Sequence, residues 1–168
     1  MVTPQIVERP AFRVAGRKAW ISGPDNAIFG RFWVQCRAEG LFETFARLTG
    51  MRPGAQTGGT VLGVSRVEQD PAKRDFYYMI AVETEAEAEG LESYLVPAAR
   101  WAVFSSRGLM PEALVQAEMH AFMEWLPASG YRHALAPEME VYPPEEAGPG
   151  GEVSCEFWLP ITEEGTPI

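Results

Sequence analysis

A carboxylate and a large aromatic ring stand two residues apart near the end of the chain, at Glu156 and Trp158. Side chains two apart in a β-strand lie on the same face of a sheet, so both would point the same way. The other face of this stretch is apolar and is predicted to pack in a core; it carries Val153, Cys155, Phe157, Leu159 and Ile161. A carboxylate beside a tryptophan can bind a planar cation through opposite charge and the face of the ring. The alternative is an exposed edge strand with an incidental Glu-Trp pair.

Four further side chains are candidates for the wall of a ligand site. Glu140 and Tyr142 share one face of the preceding predicted strand, and Tyr142 would lie beside Glu156 if the last two strands pair antiparallel. Tyr77 and Met79 are candidates because an alignment of the two halves of the chain places them at the positions of the first pair. A solvated position for Glu140, and a core position for Tyr77 and Met79, are equal alternatives.

Metal-binding and nucleophilic constellations are not supported by the residue pattern. His120 and His133 each lack a second ligand at metal-binding spacing. Cys36 and Cys155 sit in apolar segments without a neighbouring histidine, so neither is expected to be a nucleophilic thiol. We therefore expect no metal site and no cofactor. Reduced, buried thiols are typical of a cytoplasmic protein.

The composition is acidic and narrows the class of partner. The chain has 168 residues, with 14 Lys and Arg against 23 Asp and Glu, and a formal net charge of −9. Surfaces that bind nucleic acid or anionic membranes need dense positive charge, so neither partner is expected. Long-range attraction favours cationic ligands instead. No apolar run predicts a signal peptide or a membrane span.

The first half of the sequence predicts a strand, a helix and a hairpin. Residues 5–21 are rich in β-branched and aromatic side chains and predict one strand, with an edge or kink at Pro10. Apolar residues at three- and four-residue spacing predict a helix over 26–49, bent or broken near Gly40. The hairpin strands follow at 60–67 and 76–82.

The second half repeats this order after an acidic run. Residues 84–95 predict a solvated crossover between halves at about 1–83 and 96–168. A strand is predicted at 97–104, and a helix over Leu109–Leu126. The helix would pack on the sheet through the apolar stripe of Leu114, Val115, Met119, Phe122, Met123 and Leu126. The last two strands are predicted at 136–142 and 151–161.

Both halves thus predict the order strand, helix, strand, strand, which points to an internal duplication. Two alignments support it: Pro10–Arg13 with Pro97–Arg100, and Phe76–Ile80 with Cys155–Leu159. We predict a single α+β domain over residues 1–168, built from two tandem β-α-β-β halves related by a pseudo-twofold axis. The helix-free faces of the two halves would enclose a ligand cleft.

Three segments of the second half carry a resemblance to a known family. They are residues 125–131 (WLPASGY), 138–142 (EMEVY) and 156–161 (EFWLPI), in this order. Through them, residues 97–162 resemble the C-terminal half of the gyrase-inhibitor-like (GyrI-like) effector-binding family, while the N-terminal half matches only in layout. The resemblance implies a tandem β-α-β-β fold whose cleft binds amphipathic, often cationic, aromatic small molecules. It also maps the family's acidic pocket residue to Glu156.

The resemblance leaves more than one function open. Domains of this family are fused to the DNA-binding region of multidrug-responsive regulators or stand alone, and nothing precedes the first predicted strand, so we expect the stand-alone form. Its function would be to sense or sequester amphipathic, cationic aromatic molecules. Some relatives are similar to hydrolases of strained cyclopropanoid toxins; in that alternative Glu156 is the general acid or base, and Tyr142 or Tyr77 positions the substrate. A weaker alternative is an inhibitor whose acidic surface binds a basic protein.

Overall fold

A computed structural model describes residues 3–165 and shows an α+β fold built on one large antiparallel sheet. Residues 1–2 and 166–168 of the predicted domain lie outside this description. The strands are β1 (Gln5–Arg9), β2 (Phe12–Ser22), β3 (Val61–Arg66), β4 (Asp75–Glu83), β5 (Glu92–Val96), β6 (Ala99–Gly108), β7 (Tyr131–His133), β8 (Glu138–Tyr142) and β9 (Val153–Glu163). The helices are α1 (Ala27–Ala38), α2 (Leu41–Thr49), α3 (Glu112–Met119) and α4 (Leu126–Ser129), with a π-helical segment (His120–Trp125) between the last two.

The sheet curves until its two ends approach each other. Its strand order is β1-β6-β9-β8-β3-β4-β2-β5, with β7 pairing to β9. β1 lies at one end, yet only Pro10 and Ala11 connect it to β2 near the other end. Six strand spacings in a flat sheet amount to about 29 Å, whereas this connection reaches only about 11 Å. Pro97 and Ala98 connect β5 to β6 in the same way, so both ends of the sheet meet.

The inner face of the curved sheet encloses a packed core. Its buried side chains come from seven strands: Phe12, Val14, Leu62, Val64, Met79, Ala81, Val96, Trp101, Val103, Met139, Val141 and Trp158. This corrects the expectation that the helix-free faces would enclose a ligand cleft. Closing the sheet on itself brings these apolar side chains into contact with each other and excludes water from them.

The outer face carries the helices in two groups. α1 and α2 cover β2 and β4 through a cluster of Ile21, Phe32, Cys36, Leu41, Phe45, Tyr78, Ile80 and Val82. α3 and the π-helical segment cover β6 and β9 through Ala102, Phe104, Ala113, Leu114, Ala117, Ala121, Cys155, Phe157, Leu159 and Ile161. The pairing of β3 with β8 lies at the centre of the strand order, between the strands that carry the two groups. None of the helices within residues 3–165 is long and apolar enough to cross a membrane.

Several predicted elements have different boundaries in the structure. The predicted first strand is two strands, because the chain leaves one sheet edge at Pro10 and enters near the opposite edge. The predicted crossover ends in a strand, Glu92–Val96, which pairs with β2. The predicted break in the helix over 26–49 is confirmed at Gly40, whose φ of 82° is left-handed and interrupts helical geometry. β7 was not predicted, since three residues are too few to show an alternating pattern.

The helical segment that begins with α3 packs on the sheet mainly through small side chains, together with Leu114 and Leu126 of the predicted apolar stripe. Ala113, Ala117 and Ala121 recur every four residues and lie against the sheet. The larger side chains are instead exposed: Val115 to 40%, Met119 to 54%, Phe122 to 36% and Met123 to 70%. The stripe was therefore wrong for these four residues. An alanine face lets the helix lie close to β6 and β9, and it turns the larger apolar groups outward.

Candidate functional site

A glycine and a glutamate face each other at the centre of the outer face. Gly63 of β3 pairs with Glu140 of β8, so the two positions lie side by side on one face of the sheet. A Cβ atom at Gly63 would lie 2.7 Å from Glu140 Oε2 and 2.5 Å from Tyr78 Oη, closer than such contacts allow. Gly63 thus makes room for the carboxylate and the hydroxyl. A glycine inside a strand often marks a close approach of this kind.

Neutral hydroxyl groups hold the Glu140 carboxylate. Tyr142 Oη donates a hydrogen bond to Glu140 Oε1 at 2.6 Å, and the Tyr78 hydroxyl also hydrogen-bonds the carboxylate. Trp33 on α1 donates from Nε1 to Tyr78 Oη at 2.9 Å, which links the first helix to this group. We call Trp33, Gly63, Tyr78, Glu140 and Tyr142 the seam site, because they lie where the two halves of the sheet join.

Burial controls the protonation of the seam site. It raises the pKa of Glu140, although the hydrogen bonds from Tyr142 and Tyr78 act to lower it. Burial, followed by the negative charge of Glu140, raises the pKa of both tyrosines, so their hydroxyls remain protonated donors. No lysine, arginine or histidine contributes to the shift at Glu140. The site therefore holds a half-buried acid without an opposite charge among the described residues.

Aromatic rings flank the seam site from both helix groups. The Trp33 ring stacks on Phe42 with 5.8 Å between centroids and meets Tyr142 edge-on at 5.6 Å. On the other side, Phe122 of the π-helical segment lies 5.7 Å from Phe157. Phe157 is the residue of β9 that pairs with the site carboxylate. A planar apolar ligand could therefore contact rings on both sides of the acid.

Glu156 and Trp158 lie together, but on the opposite face of the sheet from the seam site. Val141 pairs with Glu156, which places Glu156 on the inner face, while Glu140 shares the outer face with Phe157. Trp158 is only 3% exposed in the inner core, and its Nε1 donates to Glu156 Oε1 at 2.9 Å. Glu156 and Trp158 share one face of the strand, as the alternation predicts, yet Trp158 is too buried to contact a ligand in this structure.

Tyr77 and Met79 also lie on the inner face. Met79 is fully buried in the inner core. Tyr77 is 38% exposed, at an end of the face where Trp20 contacts it edge-on and Lys18 Nζ lies 4.3 Å from its ring centroid. Neither reaches the seam site. The residue between them, Tyr78, does reach it and was missed.

The strand registers differ from the alignment that made Tyr77 and Met79 candidates. Gly63 pairs with Ile80 on β4, and its partner Glu140 pairs with Phe157 on β9. The registers therefore put Phe157, and not Leu159, in the place of Ile80. This differs by two residues from the alignment of Phe76–Ile80 with Cys155–Leu159. The isolated glycine in the predicted strand 60–67 was the sequence signal that could have located the site.

Two surface cavities lie away from the seam site. One, of about 590 Å³, is lined by residues around Arg100, Leu135 and Glu163. The other, of about 360 Å³, lies beside Arg52 and Glu83. Neither is lined by a seam-site residue. At the seam site the aromatic side chains pack on one another, and its distinguishing features are the half-buried acid and the hydrogen bonds to it.

Within residues 3–165, no group of three or more histidine, cysteine or acidic side chains is arranged to hold a metal ion. His133 Nε2 lies 3.0 Å from Glu138 Oε2 at the end of β8. Cys36 and Cys155 are free and buried, and burial raises the pKa of both thiols, that of Cys155 to about 11. Both thiols are therefore protonated at neutral pH and poorly nucleophilic.

The family that matches this chain defines its class, a domain that binds small molecules. Residues 3–162 match the family described as the GyrI-like small molecule binding domain, and the chain belongs to that family. None of the curated proteins is significantly similar to the chain in sequence.

Solved structures with the same fold cover nearly the whole chain. SAV2435 bound to tetraphenylphosphonium is 21% identical with a TM-score of 0.74, over 96% of this chain and 94% of that one. A putative bacterial transcription regulation protein from Staphylococcus aureus MU50 is 23% identical with a TM-score of 0.70, over 95% and 97%. The C-terminal domain of EcmrR is 15% identical with a TM-score of 0.65, over 97% and 99%. These similarities establish the fold.

Proposed function

We propose that this domain binds amphipathic aromatic cations at the seam site, as a cytoplasmic sensor or sequestering module, and that Glu140 provides the opposite charge. The observation that carries the proposal is the half-buried Glu140 carboxylate, which is bound by neutral hydroxyls and by no cationic side chain of residues 3–165. An ionised carboxylate removed from water is costly unless an opposite charge pairs with it. A bound cation would provide that charge.

Three further observations support a cationic aromatic ligand. The chain belongs to a family of small-molecule binding domains. The similar protein SAV2435 has been solved with tetraphenylphosphonium, an aromatic cation. The chain carries a formal net charge of −9, which attracts cations over long range. In this proposal Trp33 moves away from Tyr142 to admit the ligand and then stacks on it, an interaction worth about 2 kcal/mol for a desolvated cation.

We also propose that two halves of the chain are related by internal duplication. The first is about 1–83, and the second extends from the predicted 96–168 to about 92–168, because it includes β5. The strand order supports this, because exchanging β1 with β5, β2 with β6, β3 with β8 and β4 with β9 gives the same order in reverse. Gly63 and Glu140 are equivalent positions under this exchange, and they pair with each other. The ligand site would then lie on the pseudo-twofold axis, on the outer face of the sheet.

The test compares Glu156, the acid predicted from the sequence, with Glu140, the acid of the seam site. Glu140→Gln and its control Glu156→Gln each remove one half-buried carboxylate, from opposite faces of the same pair of strands. We expect Glu140→Gln to weaken tetraphenylphosphonium binding about tenfold or more, the equivalent of about 1.4 kcal/mol. The affinity for neutral triphenylphosphine oxide should change by less than about twofold, because its transfer involves no net charge.

Calorimetric titration of the wild type and both variants gives the answer. The same large loss with both ligands would show that Glu140 contributes shape and not charge. A loss confined to Glu156→Gln would move the site to the inner face and contradict the proposal.

Hydrolysis is a second candidate function of the same residues. A carboxylate and a hydroxyl at 2.6 Å, Glu140 and Tyr142, form a pair that can exchange a proton with a substrate. This replaces the earlier assignment of the acid to Glu156. Incubation with an aromatic cyclopropane followed by mass spectrometry separates the two functions. Recovery of unchanged ligand supports binding, whereas a product that contains one added water and disappears with Glu140→Gln would establish hydrolysis.

A further inference from the structure

Glu118 on α3 is a second acid directed at the same region. The charge of Glu140 of β8 acts on it, and its own charge acts on Tyr78 of β4 and on Cys155 of β9. It is half-buried, and no hydrogen bond or ion pair connects it to any residue within the described range. Glu118 was not a candidate from the sequence, because its neighbours on α3 were expected to face the core.

Exposed apolar side chains surround this acid. Val115 lies one helical turn before Glu118, and Phe122 lies one turn after it on the side that contacts Phe157. Met119 is adjacent and 54% exposed. Glu118 is thus an acid within an apolar surface, at the edge of the aromatic group that flanks the seam site. A carboxyl in such surroundings favours its neutral form.

The acidic groups around Glu118 raise its pKa further. Burial is the main cause that raises its pKa to about 8, followed by the charges of Glu140 and then Glu138, while Arg74 alone opposes them. The titratable or charged groups facing it are Glu138 and Glu140 of β8, Arg74 before β4, Tyr78 of β4 and Cys155 of β9, and its own helical segment carries His120 and Glu124. At neutral pH the carboxyl therefore keeps its proton.

The two acids differ in what a cation would give them. Glu140 already accepts hydrogen bonds from two tyrosines, which compensate part of its lost hydration. Glu118 accepts none among the described residues, so a nearby positive charge would stabilise its ionised form more. We propose that Glu118 is a second ligand-contacting carboxylate of the seam site and that it releases its proton to solvent when an aromatic cation binds. This inference rests on the proposed function.

The exchange of a proton for a cation has a defined pH dependence. Below its pKa in the empty site, Glu118 must lose a proton before it can pair with the ligand. The affinity for a cation should therefore rise with pH, by up to about tenfold per pH unit, and level off above about pH 8. A neutral ligand should show no such rise.

The experiment measures how many protons the protein releases on binding a ligand that has no ionisable proton of its own. Tetraphenylphosphonium is titrated calorimetrically at about pH 7 in phosphate and in Tris, whose ionisation enthalpies differ, so that the difference in heat gives the number of protons released. We expect about one proton per cation for the wild type, close to none for Glu118→Gln, and the wild-type value for Glu112→Gln. Glu112 is an exposed acid at the start of the same helix and serves as the matched control.

The outcomes distinguish a failure of this inference from a failure of the proposed function. If the wild type does not bind tetraphenylphosphonium, both fail. If it binds, weakens with Glu140→Gln, and releases the same number of protons in Glu118→Gln as in the wild type, only the role of Glu118 is overturned. Proton release that disappears with Glu140→Gln and persists in Glu118→Gln would assign the exchange to Glu140 instead. Unfolding curves of Glu118→Gln at the same pH verify that the variant is folded.

Discussion

Gly63→Ala tests the central claim that a missing side chain creates the seam site. The added Cβ would lie 2.5 Å from Tyr78 Oη, 2.7 Å from Glu140 Oε2 and 2.8 Å from Glu140 Cδ. Neither group can move freely. Tyr78 is fully buried and accepts a hydrogen bond from Trp33, and Glu140 accepts a hydrogen bond from Tyr142. Overpacking of this kind costs about 1–3 kcal/mol, which lowers the melting temperature by about 2–10 °C in a chain of this size.

A matched glycine provides the control for this prediction. Gly30 lies in α1, and a Cβ added there would meet no atom within 4 Å. Gly30→Ala should stabilise the helix by up to about 1 kcal/mol, because alanine loses less backbone entropy on folding. Thermal unfolding and tetraphenylphosphonium titration of both variants provide the measurement. If Gly63→Ala is as stable as the wild type and binds the cation equally well, the carboxylate does not depend on the space at Gly63.

Two further predictions concern stability. Glu118→Gln should be more stable than the wild type at about pH 9, by at most about 5 kcal/mol, and no more stable at about pH 4. The reason is that the pKa of Glu118 in the folded protein, about 8, exceeds its ordinary value of 4.5. The wild type therefore loses stability as the pH rises between these two values. Urea unfolding at both pH values checks this, and an equal difference at both would refute it. Trp33→Phe should cost about 1 kcal/mol, because it removes the hydrogen bond to Tyr78. The exposed Trp20→Phe is its control in the same assay, and equal losses in the two variants would count against a specific role for that bond.

The sequence predicts the class of fold because its periodicities are local. Helices α1 and α2, the β3–β4 hairpin and the last strand all follow from apolar spacing and turn residues. The curvature of the sheet does not follow, because it depends on pairings between distant segments, such as β1 with β6 and β5 with β2. Without that curvature the inner face looks like a free surface, and a ligand cleft was predicted where the core lies.

The site illustrates how alternation defines faces without saying which face a ligand uses. Cys155 and Phe157 were expected on the core face of the last strand, and they pack in the cluster beneath α3. Glu140 and Tyr142 were also proposed to share a face, and they do, with a hydrogen bond between them. The family's acidic pocket residue was mapped to Glu156 of β9, however, whereas the seam site contains Glu140 of β8. The choice of Glu156 led to Tyr77 in place of Tyr78. Two strands that alternate equally well cannot be ranked by pattern alone.

The pairing of Gly63 with Glu140 explains why one acid occupies the centre of the seam site. The exchange of halves that preserves the strand order makes these two positions equivalent, and the ladder sets them directly opposite each other. Two carboxylates at this distance would repel, and one of them would take up a proton and lose its charge. Two large side chains would not fit, since even a methyl group at Gly63 overlaps the carboxylate. An asymmetric pair, with glycine on one strand and an acid on the other, allows a single carboxylate to ionise and to receive hydroxyl donors from both halves, Tyr78 from the first and Tyr142 from the second.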